Sequence, residues 1–167
     1  MSLERGGKAD KDGNRYEYEW ILYNVLEVIN NDIQSFIWEP IGIDAAGVDV
    51  IVKTNHNDYQ QCKASNGDKD YWRLSDLMSH KIFDRWKIRL SENEDNEVSL
   101  VSPISFRGLT DLILRARNSN NFGRDFYTYQ IEGAGQNTKK IFKDIFEIFI
   151  GELTKADDEG FNRILSF

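Results

Sequence analysis

Apolar residues recur at helical spacing in several parts of the chain. Between Arg15 and Ile29 they return every three or four residues, and Asn30-Asn31 gives a plausible stop. Ser75 is a suitable N-cap for a second helix. Further helices are predicted over Ser75–Leu90 with the apolar stripe Met78, Ile82, Trp86 and Leu90, over Thr110–Arg117, over Thr138–Leu153, and from Asp157 toward Phe167.

Shorter apolar or alternating segments between the helices predict strands. They cover Ser35–Glu39, Val48–Lys53, Tyr59–Lys63, Glu97–Ser102 and Phe126–Ile131. Strands that alternate with helices in this order predict an α/β domain, with a mixed sheet flanked by helices.

The predicted hairpin of Val48–Lys53 and Tyr59–Lys63 brings together polar side chains that can do chemistry. Alternation places Asp49 on one face of its strand, and it points Gln61 and Lys63 together on the other strand. If the turn is centred on His56, Asp49 falls opposite Lys63 and diagonal to Gln61. The hairpin then presents one carboxylate, one amide and one lysine as a group.

Length and composition are those of a single globular domain. The chain has 167 residues, of which 40% are hydrophobic, and no long apolar run or signal-peptide pattern occurs. We therefore expect a cytoplasmic protein without a membrane segment. The single cysteine, Cys62, is expected to pack in the core rather than react. The Gly-, Lys- and Asp-rich residues 1–14 are predicted to form a flexible lead.

The charge balance opposes strong autonomous binding to a polyanion. Twenty-one Lys and Arg face 28 Asp and Glu, which gives a formal net charge of −7. An enzyme with a net negative charge can still bind nucleic acid through bound cations and a local basic surface. Most local basic residues are expected to be ordinary solvated side chains; the candidates are Lys81, Arg85, Lys87, Arg89, Arg107, Arg115, Arg117 and Arg124.

Hydrolysis of a phosphodiester needs an activated water and neutralisation of growing negative charge. Asp49 is the candidate central ligand of a Mg²⁺ or Mn²⁺ ion, since these ions prefer oxygen donors, and Gln61 can add an uncharged oxygen. Lys63 can hold the attacking water or stabilise charge on the phosphate.

A second acid has to come from another element. The first helix offers Glu17, Glu19 and Glu27, and we favour Glu17 because it borders the apolar face. Glu39, at the end of the first strand, is a weaker candidate.

Asp49 followed by Gln61-x-Lys63, after a helix that carries an acid, resembles the PD-(D/E)xK nuclease superfamily in the QxK variant that includes the Mrr-like restriction enzymes. A longer set of motifs, between residues 6 and 117, resembles the N-terminal effector domains of bacterial antiviral STAND NTPases. These motifs are Gly6-Gly7, Gly13-Asn14-Arg15-Tyr16-Glu17, Trp38-Glu39-Pro40, Gly47-Val48-Asp49, Tyr59-x-Gln61-x-Lys63, Trp72-x-Leu74, Val101-Ser102 and Leu112–Arg117.

The resemblance implies a restriction-endonuclease-like fold over residues 15–153, with 154–167 beginning a helix or linker to a further part of a longer protein. It implies a metal-dependent DNA endonuclease that is fused to an NTPase and a sensor. The nuclease is expected to be inactive until several copies assemble. By position, Glu17 is the helix acid, Asp49 the central ligand, and Gln61 with Lys63 the third motif. Gln61 and Val48 depart from the commoner acid and proline.

Other interpretations remain open. Asp49, Gln61 and Lys63 can form a solvated hairpin face with one surface ion pair. The same fold can also serve as a catalytically idle assembly or nucleic-acid-binding module, and RNA is an alternative substrate. Trp72 is expected in the core, with base stacking beside Arg73 as the alternative. Trp72, Arg73 and Lys81 are the candidate contacts to nucleic acid.

Overall fold

The computed structural model describes residues 4–42, 47–64, 67, 69–93, 95–119 and 122–165, with side chains for all of these except 4–13, 107 and 165. The chain forms two compact units. The first contains residues up to 70 together with 84–104, and the second contains 71–83 together with the chain from 105 onward. The hairpin that carries the candidate chemistry belongs to the first unit.

The first unit is built on a four-stranded mixed sheet in the order β1-β2-β3-β4. Strands β1 to β3 form an antiparallel meander, and β4 lies parallel to β3. A parallel neighbour requires a crossover, which helical chain between β3 and β4 provides. The predicted α/β class, with a mixed sheet flanked by helices, is confirmed. The elements are α1 (Glu4–Ile29), β1 (Ser35–Trp38), β2 (Val50–Lys53), β3 (Asn57–Cys62), α3 (Ile82–Glu92) and β4 (Glu97–Val101).

Helix α1 is longer than predicted but ends where predicted. It begins at Glu4 instead of near Asn14, so residues 4–14, expected as a flexible lead, are helical. Extending an existing helix costs little even through glycine, at about 1 kcal/mol per glycine. At the other end Asn31 has φ 62°. The Asn31 and Asp32 N–H groups donate to the carbonyls of Val28 and Glu27 at 3.1 and 2.9 Å. This pattern is a Schellman stop.

A hydrogen-bonded chain fixes the rotation of α1 over the sheet. Trp20 Nε1 donates to Gln60 Oε1 at 2.7 Å, and Gln60 Nε2 donates to Asp58 Oδ2 at 2.7 Å. Burial, as the largest cause, raises the pKa of Asp58. Trp20 also packs against the buried cluster of Val50, Val52 and Cys62. Because residues three apart share a helix face, holding Trp20 on the sheet also turns Glu17 toward it.

The two faces of the sheet are covered by different helices. Val50, Val52 and Cys62 form the core on the α1 face. Tyr59 lies on the opposite face by alternation with Gln60, and the Arg89 guanidinium of α3 sits 5.1 Å from the centre of its ring. Both faces of β3 are therefore covered, which explains the burial of its last three residues.

The single helix predicted from Ser75 is broken into two. Helix α2 spans Leu74–Ser79, and α3 begins at Ile82 after Lys81 adopts φ 56°. The cap of α2 is Arg73, whose N–H donates to Asp76 Oδ2 at 2.9 Å, so Ser75 lies inside the helix. The part of the predicted stripe on α3 is buried, with Ile82 at 0% and Leu90 at 9% exposure, whereas Met78, before the break, is 52% exposed.

The second unit, apart from α2 and the start of α3, is helical in the described residues from 105 onward. Its further elements are α4 (Arg107–Arg117), α5 (Gly123–Asp125), which continues as a π-helix over Phe126–Ile131, α6 (Gln136–Phe149), a 3₁₀ turn (Leu153–Lys155) and α7 (Asp158–Leu165). The predicted helix near Thr138 is confirmed, and its buried Phe146 packs on Phe161 with ring centres 5.4 Å apart.

The strand predicted over Phe126–Ile131 is wrong. Phe126 and Ile131 are buried and five residues apart, and the Glu132 N–H donates to the Tyr127 carbonyl at 2.9 Å, five residues back. A hydrogen bond between residues five apart is that of a π-helix. The segment is predicted as a strand because it is rich in aromatic and β-branched residues. Within the described residues, no helix combines the length and apolar character needed to cross a membrane.

Candidate active site at the end of the β2–β3 hairpin

The pairing of β2 with β3 differs from the predicted register by two residues. Lys53 pairs with Asn57 and Val50 with Gln60, so the turn is centred on Asn55 and not on His56. A shift of two keeps every side chain on its face. The expected placement of Asp49 opposite Lys63 is therefore wrong, although both residues remain at the same end of the hairpin.

Asp49 sits at a β-bulge immediately before β2. Its N–H donates to the Gln60 carbonyl at 2.9 Å, while Val50 also pairs with Gln60, so two residues of one strand face one residue of the other. On the other side, the Asp49 carbonyl accepts the Glu39 N–H at 3.0 Å. Bulges re-aim side chains and are common next to active sites. The bulge gives Asp49 a direction that simple alternation does not predict.

The Asp49 carboxylate reaches across the hairpin to the end of β3. Its Oδ2 accepts the Cys62 N–H at 2.7 Å. The next amide, of Lys63, turns the other way and donates to the Val101 carbonyl on β4 at 2.9 Å. Asp49 therefore satisfies a backbone donor that β2, which starts at Val50, does not pair. A carboxylate has about four acceptor positions, so this bond leaves capacity for a further ligand.

Glu17 is the acid of α1 that faces the sheet. It is half-buried, and its Oε1 accepts the Trp38 Nε1–H at 3.1 Å. Glu19, in contrast, pairs with Arg15 on the exposed side of the helix, at 2.8 Å. Glu39 is exposed and has φ 44°. Among these acids, the structure favours Glu17 as the companion of Asp49.

The electrostatic surroundings of Cys62 show which charges gather here. Burial raises the pKa of the thiol to about 12, and the negative charges of Asp49 and Glu17 add to this shift. The positive charge of Lys63 opposes the shift. The prediction that Cys62 packs in the core is confirmed, since it is 8% exposed.

We expect the Cys62 thiol to resist alkylation in the folded protein. Its folded pKa is raised from 9.0 to about 12, so its contribution to stability is complete below pH 9 and is lost as pH rises toward 12. The rate of iodoacetamide modification should stay low between pH 7 and about 9 and should rise once urea unfolds the chain. If the Cys62 thiol of the folded protein instead titrated near pH 8.5, its burial beside the negative charges of Asp49 and Glu17 would be contradicted.

Gln61 differs from the other three site residues. Gln60 and Cys62 both face α1, so alternation turns Gln61 to the opposite face of the sheet. Its side chain is 4% exposed, and its Oε1 is buried without a hydrogen-bond partner. A buried oxygen without a hydrogen-bond partner lowers the stability of the fold by about 1–3 kcal/mol, unless a ligand or a water molecule binds to it. Asp49 contacts the Cys62 N–H and Glu17 contacts Trp38 on the neighbouring strand, whereas side-chain contacts of Gln61 and Lys63 with these acids are not observed.

Sequence reasoning named Arg85 only as one of several basic residues, but the structure places it beside the loop that leads to Asp49. Gly47 has φ 71°, and a Cβ built on it would overlap the Arg85 side chain. The arginine of α3 therefore lies directly on the Gly47 backbone, two residues before Asp49. In the sequence, the close contact of Arg85 with the backbone is signalled only by a glycine, Gly47, two residues before an acid.

Replacing Gly47 by alanine is expected to lower the free energy of unfolding by about 1–2 kcal/mol through left-handed strain, and by more through displacement of Arg85. Gly42→Ala is the matched control, because Gly42 has φ 79° with nothing within 4 Å of an added Cβ. Urea unfolding should show the larger loss for Gly47→Ala. Equal losses would mean that the Arg85 contact carries no energy.

The predicted nucleic-acid contacts belong to the second unit. Trp72 is 2% exposed and packs edge-on against His80, with ring centres 5.9 Å apart. A base cannot stack on a buried ring, so the stacking alternative does not fit and the core interpretation does. Tyr71 is the exposed aromatic, with the Arg73 guanidinium 5.1 Å from its ring centre. Lys81 is exposed at the break after α2.

The donor set fits a magnesium-type ion better than a softer metal. Within the described residues, no cluster of three His, Cys, Asp or Glu side chains occurs. Asp49 and Glu17 supply carboxylate oxygens, and Gln61 has an orphaned amide oxygen. Mg²⁺ keeps several waters and needs only one or two protein carboxylates, so this small set is adequate.

Comparison with known proteins adds no assignment. No family model matches the chain, and neither the curated proteins nor the solved structures give a match.

Proposed function

We propose that this chain is a metal-dependent DNA endonuclease effector domain of an antiphage defence protein. The supporting observation is that Asp49 Oδ2 accepts the Cys62 N–H at 2.7 Å, one residue before Lys63, while Glu17 accepts the Trp38 Nε1–H at 3.1 Å on the strand paired with Val50. Two acids and one lysine are the groups that metal-assisted phosphodiester hydrolysis requires.

Each residue has a role that follows from its surroundings. Asp49 and Glu17 would hold a Mg²⁺ or Mn²⁺ ion, which supplies Lewis-acid activation of the phosphodiester when bound. The Cys62 N–H and the Trp38 Nε1–H each fix one oxygen of these carboxylates, which restricts their rotation. Lys63 provides a positive charge for the phosphate or a donor for the attacking water. The Gln61 Oε1 is buried without a partner on the face of β3 that points away from α1, so it could serve as an uncharged donor only to a ligand on that face.

The charge of the chain favours activity in an assembly. A formal net charge of −7 repels a polyanion, so one copy alone would bind DNA weakly. Several copies raise the effective concentration of the site on one duplex. This agrees with the proposed role as the effector of a larger STAND NTPase, active on double-stranded DNA with little sequence preference after oligomerisation.

An idle restriction-endonuclease-like module is the second candidate function. Two observations favour it. Position 61 is Gln where an acid would bind metal more tightly, and Asp49 already has a structural partner in the Cys62 N–H. In this alternative the fold would serve in assembly or in nucleic-acid binding without chemistry.

Cleavage of supercoiled and linear duplex DNA at high protein concentration tests the proposal. Cutting should require Mg²⁺ or Mn²⁺, stop with EDTA, and fall by roughly 100-fold or more in Lys63→Ala. Lys140→Ala is the matched control, because this exposed lysine lies in the second unit. Cutting that survives in Lys63→Ala would overturn the site, and inert wild-type protein even in the assembled full-length form would favour the idle module.

A further inference from the structure

Helix α3 turns two arginines toward the sheet, one helical turn apart. Arg89 is 2% exposed, with its guanidinium 5.1 Å from the centre of the Tyr59 ring and its Nη1 3.1 Å from Glu92 Oε1. Arg85 precedes Arg89 by four residues, so the two share one face of the helix. The Arg85 side chain lies against the backbone of Gly47. Both arginines therefore belong to the side of the sheet that is opposite α1.

The direction of α3 places Arg85 toward the end of the hairpin that carries Asp49. Strands β3 and β4 are parallel, so α3, which leads into β4, runs back against the direction of β3. Since Arg89 lies at Tyr59, a residue one turn earlier in α3 lies nearer the end of β3. The contact with Gly47 agrees with this, because Gly47 is two residues before Asp49, whose N–H donates to the Gln60 carbonyl at 2.9 Å.

Lys63 lies on the same side of the sheet as Arg85. Its N–H donates to the Val101 carbonyl at 2.9 Å, so the parallel ladder continues one residue past Cys62. Cys62 faces α1, and alternation then turns Lys63 to the α3 side. The end of the hairpin thus has the acid Glu17 on its α1 side and two cations on its α3 side. A phosphate that reaches this end can contact both cations.

The surroundings of Arg85 leave its charge for a ligand. Arg89 is paired with Glu92, whereas Arg85 makes no ion pair or side-chain hydrogen bond within the described ranges of the chain. Arg85 is nevertheless partly buried, with its stem against a glycine, so part of its side-chain freedom is already lost before a ligand binds. A guanidinium offers five N–H donors in a planar fork that matches the oxygens of a phosphate.

We propose that Arg85 binds a backbone phosphate of DNA on the α3 side of the hairpin end, and that Gly47 is required to let it lie there. The inference deepens the proposed function, and it rests on that function for the choice of duplex DNA as the ligand. A formal net charge of −7 repels DNA from the chain as a whole. A single cation fixed beside the site should therefore contribute a measurable share of the binding.

Fluorescence anisotropy of a labelled DNA duplex, titrated with the whole chain at several salt concentrations, tests the proposal. EDTA is present, so that metal-dependent cutting does not occur. Arg85→Ala should weaken binding at low salt and should reduce the slope of log affinity against log salt by about 1. Arg85→Lys should keep most of the slope, because a cation remains at this position.

Lys87→Ala is the matched control. It removes the same charge from the same helix, and Lys87 is exposed and two residues from Arg85, so it lies on another side of α3. The salt slope should therefore stay close to that of the wild type. Circular dichroism checks that the variants remain folded.

Gly47→Ala tests the contact without removing the charge. The added Cβ would displace Arg85, so this variant should also weaken binding, and combining it with Arg85→Ala should cause little further loss. Gly42→Ala should leave binding unchanged, because nothing lies within 4 Å of a Cβ added there.

Three results would overturn the proposal. These are an unchanged salt slope in Arg85→Ala, equal losses in Arg85→Ala and Lys87→Ala, and a wild-type chain that binds no duplex even at low salt. Binding is measured and not cutting. Arg85-dependent binding by a chain that never cuts DNA therefore leaves this inference standing while the proposed function fails.

Discussion

Asp49→Ala is expected to abolish metal-dependent DNA cutting and to destabilise the fold at the same time. The first effect, at least roughly 100-fold, follows from loss of the central ligand. The second follows from the Cys62 N–H, which donates to Asp49 Oδ2 at 2.7 Å and would lose its acceptor. An unsatisfied buried donor costs about 1–3 kcal/mol. Cleavage assays and urea unfolding measure the two effects separately.

Asp49→Asn separates the chemical role from the structural one. An amide oxygen can still accept the Cys62 N–H, so most of the stability should remain, while the negative charge needed for a cation is gone. We expect cutting to be lost in both variants and stability to be lost mainly in Asp49→Ala. Full activity of a stable Asp49→Asn protein would contradict the assignment of Asp49 as a ligand.

Gln61→Glu should make stability depend strongly on metal. The side chain is 4% exposed, so a carboxylate introduced there without a partner should cost several kcal/mol, about 3 or more. A bound cation would compensate this charge. In EDTA the melting temperature should fall well below that of the wild type, and Mg²⁺ or Mn²⁺ should recover most of the loss. Differential scanning calorimetry in both conditions gives the comparison.

Gln60→Glu is the neighbouring control. Gln60 faces α1, where it accepts the Trp20 Nε1–H and donates to Asp58 Oδ2 at 2.7 Å. A glutamate there would set two carboxylates against each other, so Gln60→Glu should also be destabilised, but metal should not rescue it. If metal rescues both variants equally, or neither, the orphaned Gln61 oxygen is not a metal donor.

The sequence predicts the elements around the site because local signals are strong there. The end of α1 follows from Asn30-Asn31, since asparagine tolerates the left-handed conformation that a Schellman stop requires. Strand β2, which begins one residue after Asp49, and strand β3, which ends one residue before Lys63, are both predicted from their β-forming residues and the polar turn between them. Choosing Glu17 over Glu19 depended on helical periodicity, and the bond from Trp38 to Glu17 agrees with that choice.

The exact geometry could not be predicted because it depends on small differences in the turn. Thr54–Asp58 is polar throughout, so centring on Asn55 or on His56 is equally compatible with the sequence. The bulge at Asp49 has no local signal beyond Gly47. It redirects the carboxylate to the Cys62 N–H, so Asp49 neither faces Lys63 across the strands nor obeys simple alternation.

Other errors have similar physical causes. The break at Lys81 interrupts an apolar pattern that reads as one helix. Phe126–Ile131 has the aromatic and β-branched composition of a strand but forms a π-helix. Burial of Trp72 depends on packing in the second unit, which spacing along the chain does not reveal.

Iron-directed backbone cleavage tests the central claim most directly, because it needs no DNA and no activated assembly. Fe²⁺ bound in place of Mg²⁺, with ascorbate and peroxide, cuts the polypeptide near the metal. The account predicts cuts close to Glu17, Asp49 and Lys63, competed by Mn²⁺ and absent in Asp49→Asn. Cuts elsewhere, or an identical pattern in Asp49→Asn, would contradict a metal site at the end of this hairpin.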